Sequence, residues 1–268
     1  MNQKNIQVLD LNIAYLDNEI SSEITLIFIH GNSLSSQTFE NQFEDSRLNE
    51  YRLLALDLPG HGNSDRSPNY SFPFLVETVV QFSNLLNLKN IILVGHSLGG
   101  HIAIEAFENI KNSLALIIFG TPPLSSSLKV NEAFLPNEKI GLFYKADLTN
   151  NEMEQMKEVV VCHTENTNVI IKSIAKSDPN FRTQLAISVG NDDLKDELQI
   201  LKNTVKPILI LHGEKDPLIN YSYLKNLEIP TLWNRRIHTI EGAGHSIQIE
   251  KSKKFSKLVV MFVNQLNQ

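Results

Sequence analysis

The sequence predicts an α/β fold with a mostly parallel, doubly wound sheet and an inserted helical lid. Short apolar runs alternate with helical patterns along most of the 268 residues, an alternation that favours parallel strand pairing. It stops between Thr121 and about Leu201, where the sequence becomes polar and helical. We therefore expect a sheet whose strands present their carboxyl ends to a helical lid.

The strand prediction starts from residues 24–30, ITLIFIH, which are almost continuously apolar and rich in β-branched side chains. Such a run suits a strand that is buried on both faces of a parallel sheet. Similar runs occupy residues 51–56, 90–94, 114–119, 207–211 and 236–240. The short opening pair, 6–9 and 12–16, predicts an antiparallel hairpin at one edge of the sheet.

Helical periodicity predicts helices over residues 73–86, 98–110 and 251–266. Within the insertion, Thr149 and Asp178, the latter followed by proline, have the features of helix starts. The expected organisation is a core domain formed by residues 1–121 and 204–268, interrupted by a helical lid at 122–203.

Composition and charge argue against several classes of protein. The chain is 42% hydrophobic, and its 24 basic against 30 acidic residues give a net charge of −6, which argues against binding to nucleic acid or to anionic membranes. A single cysteine, Cys162, cannot form an internal disulfide and provides too few ligands for a structural zinc site. We expect it to be inert. We see neither a signal peptide nor an apolar run near the roughly 20 residues of a membrane span, and expect a cytoplasmic protein.

The strongest chemical signal is Ser97 in the motif GHSLGG, residues 95–100, between a predicted strand and a predicted helix. In that context G-x-S-x-G predicts a nucleophile elbow, a tight turn that holds the serine in strained backbone geometry. Small neighbours, here Gly95 and Gly99, leave room for this turn. The amino terminus of the helix favours negative charge that develops beside the serine. A serine N-cap with glycines for close packing is the alternative interpretation.

A serine nucleophile needs a base, and the base needs a carboxylate to orient it. Among the eight histidines, His245 lies on a glycine-rich loop between the last predicted strand and the last helix. The remaining histidines are His30, His61, His96, His101, His163, His212 and His238. None of them has such a setting, and His101 on the elbow helix suits a packing role. Asp216, which follows a strand and precedes a proline, is the candidate acid, with Glu214 in reserve.

An oxyanion hole would complete the site with two backbone N–H donors. One is the N–H of Leu98, directly after the serine, and the other is the N–H of Asn32 in the loop after strand 24–30. Gly31 and Asn32 are also expected to contact the substrate. An interpretation in which Gly31 only makes a turn is compatible with this role.

These blocks resemble the α/β-hydrolases. The matching segments, in the family's order, are 30–33 (HGNS), 57–64 (DLPGHGNS), 95–100 (GHSLGG), 213–216 (GEKD) and 244–245 (GH). The resemblance independently implies a catalytic triad of Ser97, His245 and Asp216.

Within that family the chain is similar to the N-acyl-homoserine lactonases of this fold, which open the lactone ring of bacterial quorum signals. The residues that carry the similarity are 31–33 (GNS), His101, 120–123 (GTPP) and 232–233 (LW). The lid at 124–203 departs from those lactonases, which leaves the acyl-chain preference open.

The expected activity is that of a cofactor-independent serine hydrolase. It would cleave a small-molecule ester or lactone through an acyl-enzyme, with N-acyl-homoserine lactone ring opening as the first choice. The alternatives are a general carboxylesterase, a C–C bond hydrolase and a receptor that keeps the fold but only binds its ligand. Ser97 sets aside the dehalogenases and epoxide hydrolases of this fold, which use aspartate at the elbow. The sequence has no H-x-H-x-D-H string, so no metal is expected.

Overall fold

The sheet runs through the middle of the molecule, and the computed structural model describes residues 1–126, 130–162 and 167–266. In these residues eight strands form one sheet in the order β1-β2-β4-β3-β5-β6-β7-β8. The strands are β1 (Asn2–Val8), β2 (Leu11–Asp17), β3 (Thr25–Ile29), β4 (Arg52–Leu56), β5 (Ile91–His96), β6 (Ser113–Phe119), β7 (Ile208–Gly213) and β8 (His238–Ile240). The pairs β1–β2 and β2–β4 are antiparallel and the other pairs are parallel. The predicted, mostly parallel sheet is confirmed.

Helices connect the strands and lie on both sides of the sheet. The α-helices are α1 (Glu40–Phe43), α2 (Phe72–Leu85), α3 (Leu98–Phe107), α4 (Val130–Ala133), α5 (Asn150–Val160), α6 (Asn168–Lys176), α7 (Pro179–Gly190), α8 (Glu197–Asn203), α9 (Tyr221–Lys225), α10 (Ile247–Glu250) and α11 (Ser252–Leu266). Short 3₁₀ turns occur at Ser36–Phe39, Ser46–Leu48, Ile140–Tyr144 and Trp233–Arg235. Over the described parts of the chain, none of the helices has the length and apolar character that crossing a membrane requires.

Both faces of the sheet are buried, which explains the continuous apolar runs. In β3, Ile27 and Ile29 belong to one apolar cluster, whereas Leu26 and Phe28 belong to a second cluster on the opposite face. Residues of α2 and α3 complete the first cluster, and residues of α11 complete the second. A strand covered on both faces carries apolar side chains at every position instead of alternating ones.

The predicted elements match the structure to within a few residues, with two informative differences. The strand expected over 236–240 begins only at His238: Arg236 is already extended, with a φ of −151° and a ψ of 155°, but pairing with β7 starts at His238. The helix expected from residue 251 begins at Ser252, and Lys251, with a φ of −135° and a ψ of 46°, separates it from the short α10.

The chain between β6 and β7, residues 120–207, is called the helical segment below. Its described part contains α4 to α8 and the 3₁₀ turn Ile140–Tyr144. Both expected helix starts are present: Thr149 forms a capping box with Glu152 at α5, and the Asp178 side chain caps α7. The division of the chain into a core domain and a lid at 122–203 stays a prediction.

Candidate active site

Ser97 lies at the turn between β5 and α3, with a φ of 53° and a ψ of −121°. A left-handed φ is strained for a residue that carries a side chain, so the turn depends on its neighbours. A Cβ on Gly95 would overlap Gly100, and a Cβ on Gly99 would overlap the backbone of Ile29. Glycine is therefore required on both sides of the serine, as the motif predicts.

The Ser97 backbone is tied to the end of β6, while its hydroxyl is not used as a cap. The Ser97 N–H donates to the Phe119 carbonyl at 2.9 Å, and the Thr121 hydroxyl donates to the Ser97 carbonyl at 2.9 Å. The Ser97 hydroxyl makes no capping hydrogen bond to α3, and the residue lines a cavity of about 140 Å³. This geometry favours the elbow interpretation over a simple helix cap.

His245 and Asp216 form a buried pair beyond the ends of β8 and β7. The His245 Nδ1 lies 2.9 Å from Asp216 Oδ2, and Asp216 Oδ1 accepts the N–H groups of Leu218 and Ile219 at 2.9 and 3.3 Å. Burial opposes ionisation of Asp216, but the imidazole and these hydrogen bonds outweigh it and hold the pKa of the carboxyl below its usual value. Since the carboxylate accepts from Nδ1–H, the lone pair of the neutral imidazole is at Nε2.

The three residues of the expected triad lie in one site. Ser97 and His245 line the same cavity, and Asp216 contacts the imidazole from the side of Nδ1. Glu214, the reserve acid, instead accepts the Gly242 N–H at 2.9 Å. Glu214 therefore braces the loop that leads to His245, while Asp216 is the carboxylate that can orient the imidazole.

The loop after β3 is held by His30. The His30 Nδ1 donates to the Gly31 carbonyl at 2.8 Å, and its Nε2 accepts the Leu58 N–H at 3.0 Å. Burial lowers the pKa of His30, so the ring stays neutral and acts as donor and acceptor at once. The Asn32 side chain donates to the Phe143 carbonyl at 3.0 Å, which joins this loop to the helical segment.

The expected oxyanion donors are unpaired. Gly31, Asn32 and Leu98 line the cavity together with Ser97. Within the described residues, the backbone N–H groups of Asn32 and Leu98 donate to no protein oxygen. Two free N–H groups, one of them at the amino terminus of α3, are what a developing oxyanion requires.

His96 packs against His245 as a neutral ring. Its Nε2 donates to the His245 carbonyl at 3.1 Å, and the ring stacks on Phe119. Burial holds the pKa of His96 well below its usual value, so no second positive charge lies beside the His245 imidazole. Burial also lowers the pKa values of His61, His212 and His238. His163 lies outside the described residues.

Sequence reasoning missed a polar pair in the cavity wall. His101, whose position on the helix suits a packing role, also lines the cavity, and its Nδ1 lies 2.8 and 2.9 Å from the two carboxylate oxygens of Glu197. The signal that could have found His101 is its place in the first turn of the helix that follows Ser97. Nothing local marked Glu197, which is fully buried and comes from α8.

Arg182 is a second buried residue that sequence reasoning missed. It is 2% exposed, and its Nη1 donates to Ser33 Oγ at 3.1 Å. Ser33 in turn donates to the Asn32 side chain at 2.8 Å. The other acceptors of the guanidinium are the carbonyls of Lys145 and Ala146 and the hydroxyl of Ser177. Arg182 thereby connects the helical segment to the loop that carries Asn32.

Metal-binding and thiol chemistry find little support in the geometry. In the described parts of the chain, no three or more His, Cys, Asp or Glu side chains cluster as metal ligands would. Burial raises the pKa of the Cys162 thiol, whose Sγ lies 3.5 Å from the Lys215 carbonyl. A raised pKa keeps the thiol protonated and unreactive.

Comparison with known proteins assigns the family. Residues 26–258 match the family model described as the alpha/beta hydrolase family, so the chain belongs to the α/β-hydrolases. Membership of this family supports a hydrolase. The AB hydrolase superfamily protein YisY of Bacillus subtilis is 25% identical over 252 residues, which cover 89% of this chain and 91% of YisY.

Solved structures share the fold. The N-acyl homoserine lactonase AidH, complexed with N-hexanoyl homoserine lactone, superposes with a TM-score of 0.94 at 24% identity, over 99% of this chain and 98% of AidH. The esterase EaEST from Exiguobacterium antarcticum superposes with a TM-score of 0.81 at 21% identity, over 97% of this chain and 98% of EaEST. Both likenesses concern the fold alone.

Proposed function

We propose that this protein is a serine hydrolase that cleaves carboxylic esters or lactones through an acyl-enzyme, with N-acyl homoserine lactones as its substrate class. One observation carries the proposal. Ser97, whose hydroxyl makes no capping hydrogen bond, lines one cavity with His245, and His245 Nδ1 is 2.9 Å from Asp216 Oδ2. A nucleophile, a base and an orienting carboxylate in that relation are the machinery of acyl transfer.

In the first step the Ser97 hydroxyl attacks the substrate carbonyl carbon while His245 Nε2 removes the hydroxyl proton. The ionised Asp216 stabilises the imidazolium that forms. The carbonyl oxygen becomes an oxyanion and accepts hydrogen bonds from the N–H groups of Asn32 and Leu98. Each such donor contributes on the order of 10²–10³ in rate.

Collapse of the tetrahedral intermediate breaks the bond to the leaving oxygen, which takes the proton from His245. In a lactone, the leaving hydroxyl stays attached to the acyl group, so the acyl-enzyme carries a free alcohol. A water molecule then attacks the acyl carbon with His245 as base, and Ser97 regains its proton. The sum of the two steps adds one water to the lactone and yields one hydroxy acid.

The cavity supports an acyl substrate. Its volume is about 140 Å³, and much of its wall is aliphatic or aromatic. The helical segment contributes Leu124, Phe134, Phe143, Val160, Leu185 and Leu194 to that wall. We therefore assign residues 122–203 the role of a lid that shapes the acyl pocket. The lactone bound by AidH, which has the same fold, supports the choice of N-acyl homoserine lactones.

The test compares hydrolysis of a short p-nitrophenyl ester and of N-hexanoyl homoserine lactone by wild type and by Ser97→Ala. We expect lactone turnover well above ester turnover, and loss of both in the variant. Ser71→Ala is the matched control, because Ser71 is also a helix N-cap without a capping hydrogen bond. Ester turnover alone would indicate a general carboxylesterase, and retained activity in Ser97→Ala would refute the mechanism.

A further inference from the structure

The cavity has a second polar position, one helical turn from Ser97. His101 lies in the first turn of α3, and its backbone N–H donates to the Ser97 carbonyl at 3.3 Å, so the two residues are neighbours across one turn. His101 is 8% exposed and lines the cavity. A substrate held in this cavity can therefore contact both Ser97 and His101.

Glu197 fixes which ring nitrogen of His101 faces the cavity and which one carries the proton. Both Glu197 oxygens lie within 2.9 Å of His101 Nδ1, and the Leu124 N–H donates to Glu197 Oε2 at 2.7 Å. A carboxylate oxygen accepts hydrogen bonds, so the tautomer that matches this contact carries its proton at His101 Nδ1. That tautomer has its lone pair at Nε2.

That Nε2 has no hydrogen-bond partner within the described residues, although only 11% of the His101 side chain is exposed. His61 Nε2 is also unpartnered, but it is buried away from the cavity. The His101 ring, in contrast, borders the cavity. A buried acceptor next to an accessible cavity gains its missing hydrogen bond when a ligand donates to it.

We infer that His101 Nε2 accepts a hydrogen bond from an N–H or O–H group of the substrate that lies near the carbonyl attacked by Ser97. This inference rests on the proposed function, because Ser97 defines where the carbonyl lies. The substrate class is then an ester or lactone with an acylamino or hydroxyl group near its carbonyl. In N-acyl homoserine lactones, the amide nitrogen is bonded to the carbon next to the lactone carbonyl.

The experiment measures binding, so it needs no turnover. Ser97→Ala is titrated calorimetrically with N-hexanoyl homoserine lactone and with α-hexanoyloxy-γ-butyrolactone, in which an oxygen replaces the N–H group. We expect the N–H compound to bind about twofold to tenfold tighter, the worth of one hydrogen bond. Adding His101→Asn should reduce that ratio to about one, because the asparagine amide can still donate to Glu197, while its side chain is too short to place an acceptor where Nε2 lies.

Tyr144→Phe in the same Ser97→Ala background is the matched control. Tyr144 also lines the cavity, and the ratio should persist without its hydroxyl. A ratio of one with His101 present, or an undiminished ratio in His101→Asn, would overturn the inference.

Two safeguards keep the outcome unambiguous. If His101→Asn does not fold, NMR of labelled histidine in Ser97→Ala replaces it. The Nε2 signal of His101 should then shift with the N–H lactone and not with the oxygen analogue, and equal shifts would refute the inference. Failure of the proposed function appears differently, as lactone turnover that survives Ser97→Ala.

Discussion

Gly120 lies directly against the imidazole of His245. A Cβ on Gly120 would come within 2.9 Å of His245 Cε1 and 3.2 Å of Nδ1. Gly120 also has a φ of +60°, a conformation that residues with side chains rarely adopt. The residue after β6 thus has two separate reasons to be glycine: its backbone, and the space that the imidazole occupies.

We predict that Gly120→Ala inactivates the enzyme more than it destabilises it. The added methyl group displaces the imidazole from its position between Asp216 and the cavity, and a displacement near 1 Å costs about 10² in rate. The left-handed φ costs about 1 kcal/mol of unfolding free energy. Lactone or ester kcat/KM and urea unfolding measure the two effects separately.

Gly242→Ala is the control for that variant. Gly242 has a φ of +67°, but the nearest atom to an added Cβ is on the Lys251 side chain, at 3.6 Å. The two variants should therefore lose similar stability, and only Gly120→Ala should lose most of its activity. Equal activities would show that contact with His245 has no bearing on catalysis.

We predict that Arg182→Ala lowers both stability and rate. The substitution leaves buried oxygens, among them Ser33 Oγ, without their donor, which costs about 3 kcal/mol of unfolding free energy. The Ser33–Asn32 link also loosens, so kcat should fall about tenfold, a fraction of the effect of losing an oxyanion donor. Urea unfolding and steady-state kinetics test both expectations.

Arg66→Ala is the matched control for Arg182. The Arg66 side chain is 70% exposed, and its Nε lies 3.8 Å from Asp178. Exposed ion pairs contribute little, so the change in unfolding free energy should stay within about 0.5 kcal/mol. If Arg182→Ala behaves like Arg66→Ala, the buried network around Arg182 does not hold the segment to the loop.

Local patterns predict the strands, the elbow and the glycine-rich loop, because each depends on residues adjacent in the chain. Placing an acid beside the base follows from topology, since the carboxyl ends of neighbouring parallel strands meet at one edge of the sheet. Arg182 and Glu197 are different. Arg182 hydrogen-bonds to Ser33, which is 149 residues away in the sequence, and Glu197 to His101, which is 96 residues away. No local pattern marks a buried charge whose partner lies so far away.

We predict that the carboxylate that orients the base is Asp216. In Asp216→Asn, the amide can present N–H to His245 Nδ1 and favour the wrong tautomer, so kcat should fall by about 10³–10⁴. Glu214→Gln keeps an oxygen for the Gly242 N–H, and its kcat/KM should stay within about threefold of wild type. The same ester or lactone assay compares them, and a larger loss in Glu214→Gln would move the assignment to Glu214.

Glu105 carries a buried carboxyl on α3. It is 2% exposed and accepts the Lys195 N–H at 2.6 Å. Burial, helped by the nearby charge of Glu197, raises the pKa of Glu105 from 4.5 to about 7. Between those pH values the folded state binds more protons than the unfolded state. The unfolding free energy that Glu105 contributes therefore falls as the pH rises from 4.5 to 7.

Glu105→Gln removes this titration and retains an acceptor for the Lys195 N–H. Relative to wild type, the variant should gain about 2 kcal/mol of unfolding free energy from about pH 4.5 to 8, after a discount for solvent screening. Urea unfolding at several pH values measures the difference, with the exposed Glu108→Gln as control for loss of a negative charge. Parallel pH profiles for wild type and Glu105→Gln would mean that the carboxyl titrates alike in the folded and unfolded chains.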